Sequence, residues 1–283
     1  MKKLQGTGVA LVTPFNDDLS IDFEGLKRLI QHASNGGADY LVVMGTTGEA
    51  PTLSRSEKAE VLAKAKEFNE KNLPIVYGIG GNSTQAVIDE IQETNLQGVD
   101  AILSVSPYYN KPTQAGIKAH FEKIADHSPL PIIVYNIPGR TMSNMEAETT
   151  LALAKHPKII GMKEASGKLD QCREIALRKP DDFLLISGDD ALTVAILELG
   201  GDGIISVLAN AIPGAFKKMC HGSDLEAEQG LSEVEKFNDL MYLESNPVGI
   251  KNLLKHKGIC GDQVRLPLLR ASEELDKKIK AQL

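Results

Sequence analysis

Eight short, continuously apolar runs rich in β-branched residues recur along the first 210 residues of the chain, and they limit its fold more than any other feature. They occupy 8–13, 40–44, 75–79, 101–105, 132–135, 159–162, 183–186 and 203–208. Unbroken rather than alternating hydrophobicity suits strands covered on both faces, which is the condition of a parallel sheet. Between them lie amphipathic segments over 22–35, 54–69, 84–95, 113–126 and 169–177, several opened by a residue able to cap a helix. An α/β chain that alternates strand and helix about eight times predicts a (β/α)8 TIM barrel. A doubly wound open sheet is the competing architecture, but the near-regular repeat leaves no pause for its topological switch point.

After residue 208 the pattern changes. The segments 225–243, 248–257 and 268–281 read as helices with no further strand between them, and Pro247 and Pro267 sit near expected helix starts, where the missing N–H costs little. No low-complexity linker intervenes. The expected organisation is a barrel over 1–222 with a C-terminal helical extension over 223–283 packed on it.

Composition narrows the function classes. A net charge of -7 spread along the chain argues against nucleic acid and against an anionic membrane surface as partner. Cys172, Cys220 and Cys260 are odd in number and far apart, without the paired spacing of a zinc site or redox pair, and read as free thiols in a reducing cytoplasm. The N-terminal residues lack a continuous apolar region and no stretch reaches the ~18 apolar residues of a membrane span, so the protein is expected to be cytoplasmic.

In a barrel, catalytic groups collect at the C-terminal ends of strands. The polar residues here follow that rule: Gly45-Thr46-Thr47-Gly48-Glu49 after the second run, Ser106-Pro107-Tyr108-Tyr109-Asn110 after the fourth, Tyr135-Asn136-Ile137-Pro138-Gly139-Arg140-Thr141 after the fifth, and Ser187-Gly188-Asp189-Asp190 after the seventh. At the end of the sixth, Lys163 interrupts an apolar run, where a cation is expensive to bury. It is either a strand-end lysine reaching water with its tip or an amine whose burial lowers its pKa and makes it a nucleophile toward a carbonyl carbon. The threonine pair could cradle a carboxylate or simply cap its own tight turn. Tyr135 reads as a core aromatic or a proton relay, and Arg140 as a solvated loop charge or a fork for a substrate carboxylate.

Other motifs carry less. Gly78, Gly80 and Gly81 lack the third glycine and the acidic ribose partner of a dinucleotide loop. His32, His120, His127, His156, His221 and His256 show no metal-ligand spacing. Asp189 and Asp190 are adjacent strand-end residues that point apart, with Asp190 placed to cap the next helix. No metal is expected.

Taken together, Gly45-Thr46-Thr47-Gly48-Glu49, Tyr108-Tyr109, Tyr135-Asn136-Ile137-Pro138-Gly139-Arg140-Thr141 and Gly161-Met162-Lys163-Glu164 resemble the dihydrodipicolinate synthase/N-acetylneuraminate lyase family of class I aldolases. The resemblance runs from about Gly6 to the C-terminal helices and includes Gly188-Asp189-Asp190 and Gly203-Ile204-Ile205-Ser206-Val207 in order. Thr46-Thr47 and Arg140 look like its synthase branch, which implies lysine biosynthesis through diaminopimelate. The family implies a TIM barrel with a helical extension, a homotetramer built as a dimer of dimers, and no metal or organic cofactor. By the same resemblance Lys163 forms a Schiff base with pyruvate, and the resulting enamine adds to L-aspartate 4-semialdehyde. Tyr135, Thr46 and Tyr109 would relay protons, Tyr109 reaching in from the neighbouring subunit. Thr47 would hold the pyruvate carboxylate, Arg140 that of the semialdehyde, and Gly188 with the Ile205 carbonyl would border the pocket.

Two alternatives stay open at this point: a sugar-acid lyase of the same family, from which Arg140 discriminates, and a non-catalytic keto-acid sensor, for which a proton relay has no use. Inhibition by L-lysine is expected to be weak or absent, because Arg55, Lys58 and Ala86 stand where lysine-sensitive members of the family tend to carry imidazole or acidic groups.

Overall fold

Capping chemistry in the sequence starts several of the helices. In the computed structural model, which describes residues 2–283, the Asp22 carboxylate accepts from the Gly25 N–H at 2.8 Å at the head of α1 (Phe23–Gly36). Ser54 and Glu57 form a reciprocal capping box on α2 (Arg55–Phe68), and Ser83 and Thr113 cap α3 (Thr84–Glu93) and α4 (Gln114–His127). Each such bond satisfies a backbone donor that the first helical turn leaves unpaired.

The strands are β1 (Gly6–Ala10), β2 (Tyr40–Val43), β3 (Ile75–Gly78), β4 (Ala101–Val105), β5 (Ile132–Asn136), β6 (Ile159–Glu164), β7 (Leu184–Ser187) and β8 (Gly203–Ser206). They close in sequence order into a barrel, the expected (β/α)8 architecture. The short α5 (Pro138–Thr141) and α6 (Ala147–Leu153) follow β5, α7 (Leu169–Arg178) follows β6, α8 (Thr193–Glu198) follows β7 and α9 (Pro213–His221) follows β8. The chain ends in α10 (Asp224–Asn238), α11 (Val248–His256) and α12 (Glu273–Lys280).

By packing, the chain divides into two compact units. One comprises 75–205 with the N-terminal residues through Gln5, and so holds β3 to β7, most of β8 and α3 to α8. Its ladders are parallel, and Val105, Tyr135, Lys163 and Ile186 stand in one register row across β4 to β7. The other comprises 6–74 and 206–283. There β1 and β2 pair in parallel, and Leu26, Leu29, Ile30 and Ala33 of α1 and Phe216 of α9 are buried. Large apolar side chains buried in this way contribute roughly 1.5–3 kcal/mol each.

One irregularity decides where the chemistry points. Ile132 pairs with Ile159 but Ile133 with Gly161, so Ile160 is an extra residue in β6. Without that bulge Asn136 would face Lys163. With it Tyr135 does, and since a one-residue slip moves a side chain to the other face of a sheet, the bulge selects the face that carries Lys163.

The observed elements differ from expectation mainly at their ends. β1 ends at Ala10 and β8 at Ser206, and the residues beyond lie in loop and 3-10 structure. The helix expected over 225–243 gives way after Asn238 to a 3-10 turn. That expected over 268–281 begins only at Glu273, where the Ser272 hydroxyl accepts from the Leu275 N–H, so Pro267 lies outside it. Among the described residues no helix is long and apolar enough to cross a membrane.

Candidate active site

Lys163 sits one residue before the end of β6 and is only 5 % exposed. The register row brings its Nζ to 4.4 Å from the centroid of the Tyr135 ring, itself 6 % exposed. Burial pushes the amine down to about 8; the buried Asp190 carboxylate opposes that shift and the Arg140 guanidinium adds to it. An amine that is partly neutral near physiological pH and rests on an aromatic face is a competent nucleophile for a carbonyl carbon. The strand-end reading, in which Lys163 reaches solvent, does not fit this burial.

Gly188, which follows β7, leaves the space that the lysine occupies. A Cβ built there would lie 2.9 Å from Lys163 Cε, 3.1 Å from its Cγ and 2.7 Å from the Ala165 Cβ. Ile205 is buried on β8. Arg140 lies exposed on α5, whose next residue, Thr141, donates its hydroxyl to the Ser143 carbonyl at 2.8 Å. The helix-capping role expected of Asp190 is not found: α8 begins at Thr193 after Leu192 with no side-chain cap, and the neighbouring Asp189 braces only the turn before it. Asp189 Oδ1 accepts from the Ala191 N–H at 3.1 Å, and Asp190 turns inward as a buried carboxylate.

Tyr109 is not gathered into its own chain. It is 87 % exposed and has a φ of 72°, a conformation uncommon for any residue but glycine and costly for a bulky one.

In the other unit, Thr46 and Thr47 form a 3-10 turn with Gly48 directly after β2. Thr46 is exposed. Thr47 is buried, and its hydroxyl accepts from Asn246 Nδ2 at 3.1 Å. The Thr13 hydroxyl donates to the Gly48 carbonyl at 2.7 Å. The Glu49 carboxylate takes an ion pair from the fully buried Lys251 and a hydrogen bond from the Arg265 N–H at 3.0 Å. The turn is therefore held from the C-terminal extension.

Of the residues expected to act, the structure brings together Lys163, Tyr135 and Gly188, with Arg140 near enough to act on the lysine through its field. Sequence reasoning missed the part of Asp190, whose adjacency to Asp189 suggested only a cap. It also missed Lys251, which in the sequence is one more lysine in an amphipathic segment. Among the described residues no cluster of histidine, cysteine or carboxylate side chains could hold a metal, and Cys172, Cys220 and Cys260 are free thiols.

A closed parallel barrel with a desolvated lysine at the end of its sixth strand is an arrangement that can support amine-nucleophile chemistry. The family model of the dihydrodipicolinate synthetase family matches residues 3–283. The 4-hydroxy-tetrahydrodipicolinate synthase of Cytophaga hutchinsonii is 47 % identical over 99 % of this chain and 96 % of its own. The chloride-inhibited dihydrodipicolinate synthase of Acinetobacter baumannii, solved with pyruvate, superposes with a TM-score of 0.95 at 34 % identity over 99 % of this chain and 97 % of its own. A monomeric dihydrodipicolinate synthase variant gives 0.95 at 32 % identity over 99 % and 96 %. The chain belongs to the dihydrodipicolinate synthetase family.

Proposed function

We propose that the protein condenses pyruvate with L-aspartate 4-semialdehyde to give 4-hydroxy-tetrahydrodipicolinate, the synthase activity of the diaminopimelate route to lysine. The observation that carries this reading is the buried, pKa-lowered Lys163 seated on the Tyr135 ring in a chain 47 % identical to such a synthase.

The neutral amine attacks the pyruvate ketone, and the carbinolamine loses water to give an iminium. Its positive nitrogen draws electrons as a proton leaves the methyl carbon, which yields an enamine. The enamine carbon bonds to the semialdehyde carbonyl, whose oxygen takes up a proton. The amine of the semialdehyde then attacks the iminium carbon, expels Lys163 and closes the ring, so the enzyme is released without hydrolysis. Tyr135 stands where it can carry the protons that enter and leave at the lysine.

The remaining roles belong to the same proposal. The C-terminal ends of the strands of a closed parallel barrel share one rim, which is the reason for assigning Thr46 to the proton relay and Thr47 to the pyruvate carboxylate. Arg140 takes the semialdehyde carboxylate, and Gly188 and the Ile205 carbonyl border the pocket. Tyr109 completes the relay in trans within a cytoplasmic homotetramer, a dimer of dimers. Its 87 % exposure and left-handed backbone support a side chain that serves a neighbour.

The test is pyruvate consumption with L-aspartate 4-semialdehyde, with N-acetylmannosamine as the parallel acceptor and Lys163→Ala as blank. Turnover with the semialdehyde alone, lost in the variant, is the expected result. Turnover with the sugar, or with neither acceptor, rejects the assignment. A dimer-breaking variant that keeps full turnover rejects the role of Tyr109 in trans.

A further inference from the structure

Directly after Lys163, on the opposite face of β6, the Glu164 carboxylate is 1 % exposed. Three neutral groups donate to it: Asn136 Nδ2 at 3.2 and 3.1 Å to its two oxygens, the Ser166 N–H at 2.6 Å and Gln171 Nε2 at 2.7 Å. Burial pushes this carboxyl up and the same donors hold it down. Asn136 Oδ1 in turn accepts from the Met145 N–H at 2.9 Å, and its Nδ2 reaches Asn144 Oδ1 at 2.8 Å. Asn144 Nδ2 donates to Gln171 Oε1 at 2.8 Å, and Gln171 Nε2 also reaches the Met145 carbonyl at 3.1 Å. The network lies between the strands and the helical layer, since Gln171 belongs to α7 and Met145 leads into α6.

Its members are the immediate neighbours of the groups that act. Asn136 follows Tyr135, Glu164 follows Lys163, and Asn144 with Met145 closes the segment that carries Arg140. Successive residues of a strand point to opposite faces, so a clamp on the outer pair Asn136 and Glu164 sets where the inner pair Tyr135 and Lys163 stands. A carboxylate suits the hub because it accepts on both oxygens and its hydrogen bonds are stronger than neutral ones. Building such an anion in costs burial energy that a neutral pair would avoid.

We infer that Glu164 is a positioning residue for the lysine chemistry, an acceptor on the outer face that holds Lys163, Tyr135 and the Arg140 segment in one arrangement. The inference rests on the reaction proposed above and assigns Glu164 no proton transfer.

The experiment compares wild type, Glu164→Gln, Gln171→Ala and the exchanged pair Glu164→Gln/Gln171→Glu. Each is assayed for turnover of pyruvate with L-aspartate 4-semialdehyde, for borohydride-trapped pyruvate adduct and for thermal midpoint. Glutamine at 164 turns an amide toward groups that are themselves donors. Its kcat is expected to fall by about ten- to a hundredfold, the scale of an ångström of misplacement, with half-saturating pyruvate within about threefold of wild type. Gln171→Ala, which keeps the carboxylate, gives a smaller loss in the same sense and carries the test if Glu164→Gln does not fold. The exchanged pair puts one carboxylate back into the network and regains most of the lost kcat. Wild-type kcat in both folded single variants overturns the inference. So does an exchanged pair that recovers its thermal midpoint but not its kcat. Wild type that neither traps pyruvate nor turns over overturns the proposed reaction instead.

Discussion

Replacing Lys163 with methionine removes the proposed nucleophile and is expected to make the protein more stable. The amine titrates at about 8 in the folded protein against an ordinary value of 10.5, so within that interval the folded state binds fewer protons than the unfolded chain. Stability attributable to this group therefore rises with pH across the interval, and below about 8 the folded protein carries the whole cost of burying the amine. A shift of about two and a half units at about 1.4 kcal/mol each amounts to about 3 kcal/mol. Methionine keeps an unbranched side chain in the slot that Gly188 leaves open and loses the ammonium. The variant is expected to exceed wild type by about 3 kcal/mol at pH 7 and by only about 1 kcal/mol at pH 10, where part of the unfolded ensemble's lysine is already neutral. Urea unfolding of both proteins at both pH values measures this, and titrations common to the two cancel in the difference. A methionine variant no more stable than wild type at pH 7, or a gain equal at the two pH values, would refute the reasoning.

Four further outcomes follow from the same geometry. Asp190→Asn removes the carboxylate that holds the Lys163 amine up and moves the midpoint of pyruvate-adduct formation to lower pH, whereas Arg140→Gln moves it to higher pH; borohydride trapping across pH reads both, and shifts in one direction would contradict the electrostatics. Gly188→Ala places a methyl 2.9 Å from Lys163 Cε and is expected to slow trapping by about tenfold or more at a stability cost of about 1–3 kcal/mol; unchanged trapping would show that the slot does not matter. Lys251→Met strands the buried Glu49 carboxylate and should cost about 3–5 kcal/mol in a denaturation curve, with partial recovery on adding Glu49→Gln; a loss below about 1 kcal/mol would rule out an effective ion pair. L-Lysine titrated into the turnover assay is expected to leave the rate unchanged, because Arg55 and Lys58 oppose a cationic ligand, and a saturating micromolar inhibition curve would reverse that reading.

Part of the candidate site could be read from residue order because a parallel barrel converts position along a run into position at one rim. Lys163, Tyr135 and Gly188 each close or follow an apolar run, and the structure brings these three together. Asp190 and Glu164 were not legible in the same way. Each stands beside a more conspicuous neighbour, and which of two adjacent residues turns inward depends on backbone geometry that propensities do not specify. Lys251 was hidden for another reason: its partner Glu49 is 202 residues away, and no local pattern marks two charges that will meet in a core.

The sequence by itself determined the layering, since eight continuously apolar runs alternating with amphipathic segments suit a parallel sheet covered by helices, and its near-regular repeat favoured closure into a barrel. For the chemistry it offered a candidate, since a lone lysine ending such a run commonly reaches water with its tip and only the motifs around Lys163 favoured an amine nucleophile. Only the tertiary structure decided which way that lysine faces. The bulge at Ile160 shifts β6 by one residue against β5 and puts Lys163 rather than Met162 opposite Tyr135. Side chains alternate with a period of two, so this one extra residue, set by pairing with a neighbouring strand and by no propensity of its own, separates an amine held on the Tyr135 ring from one turned to the outer face.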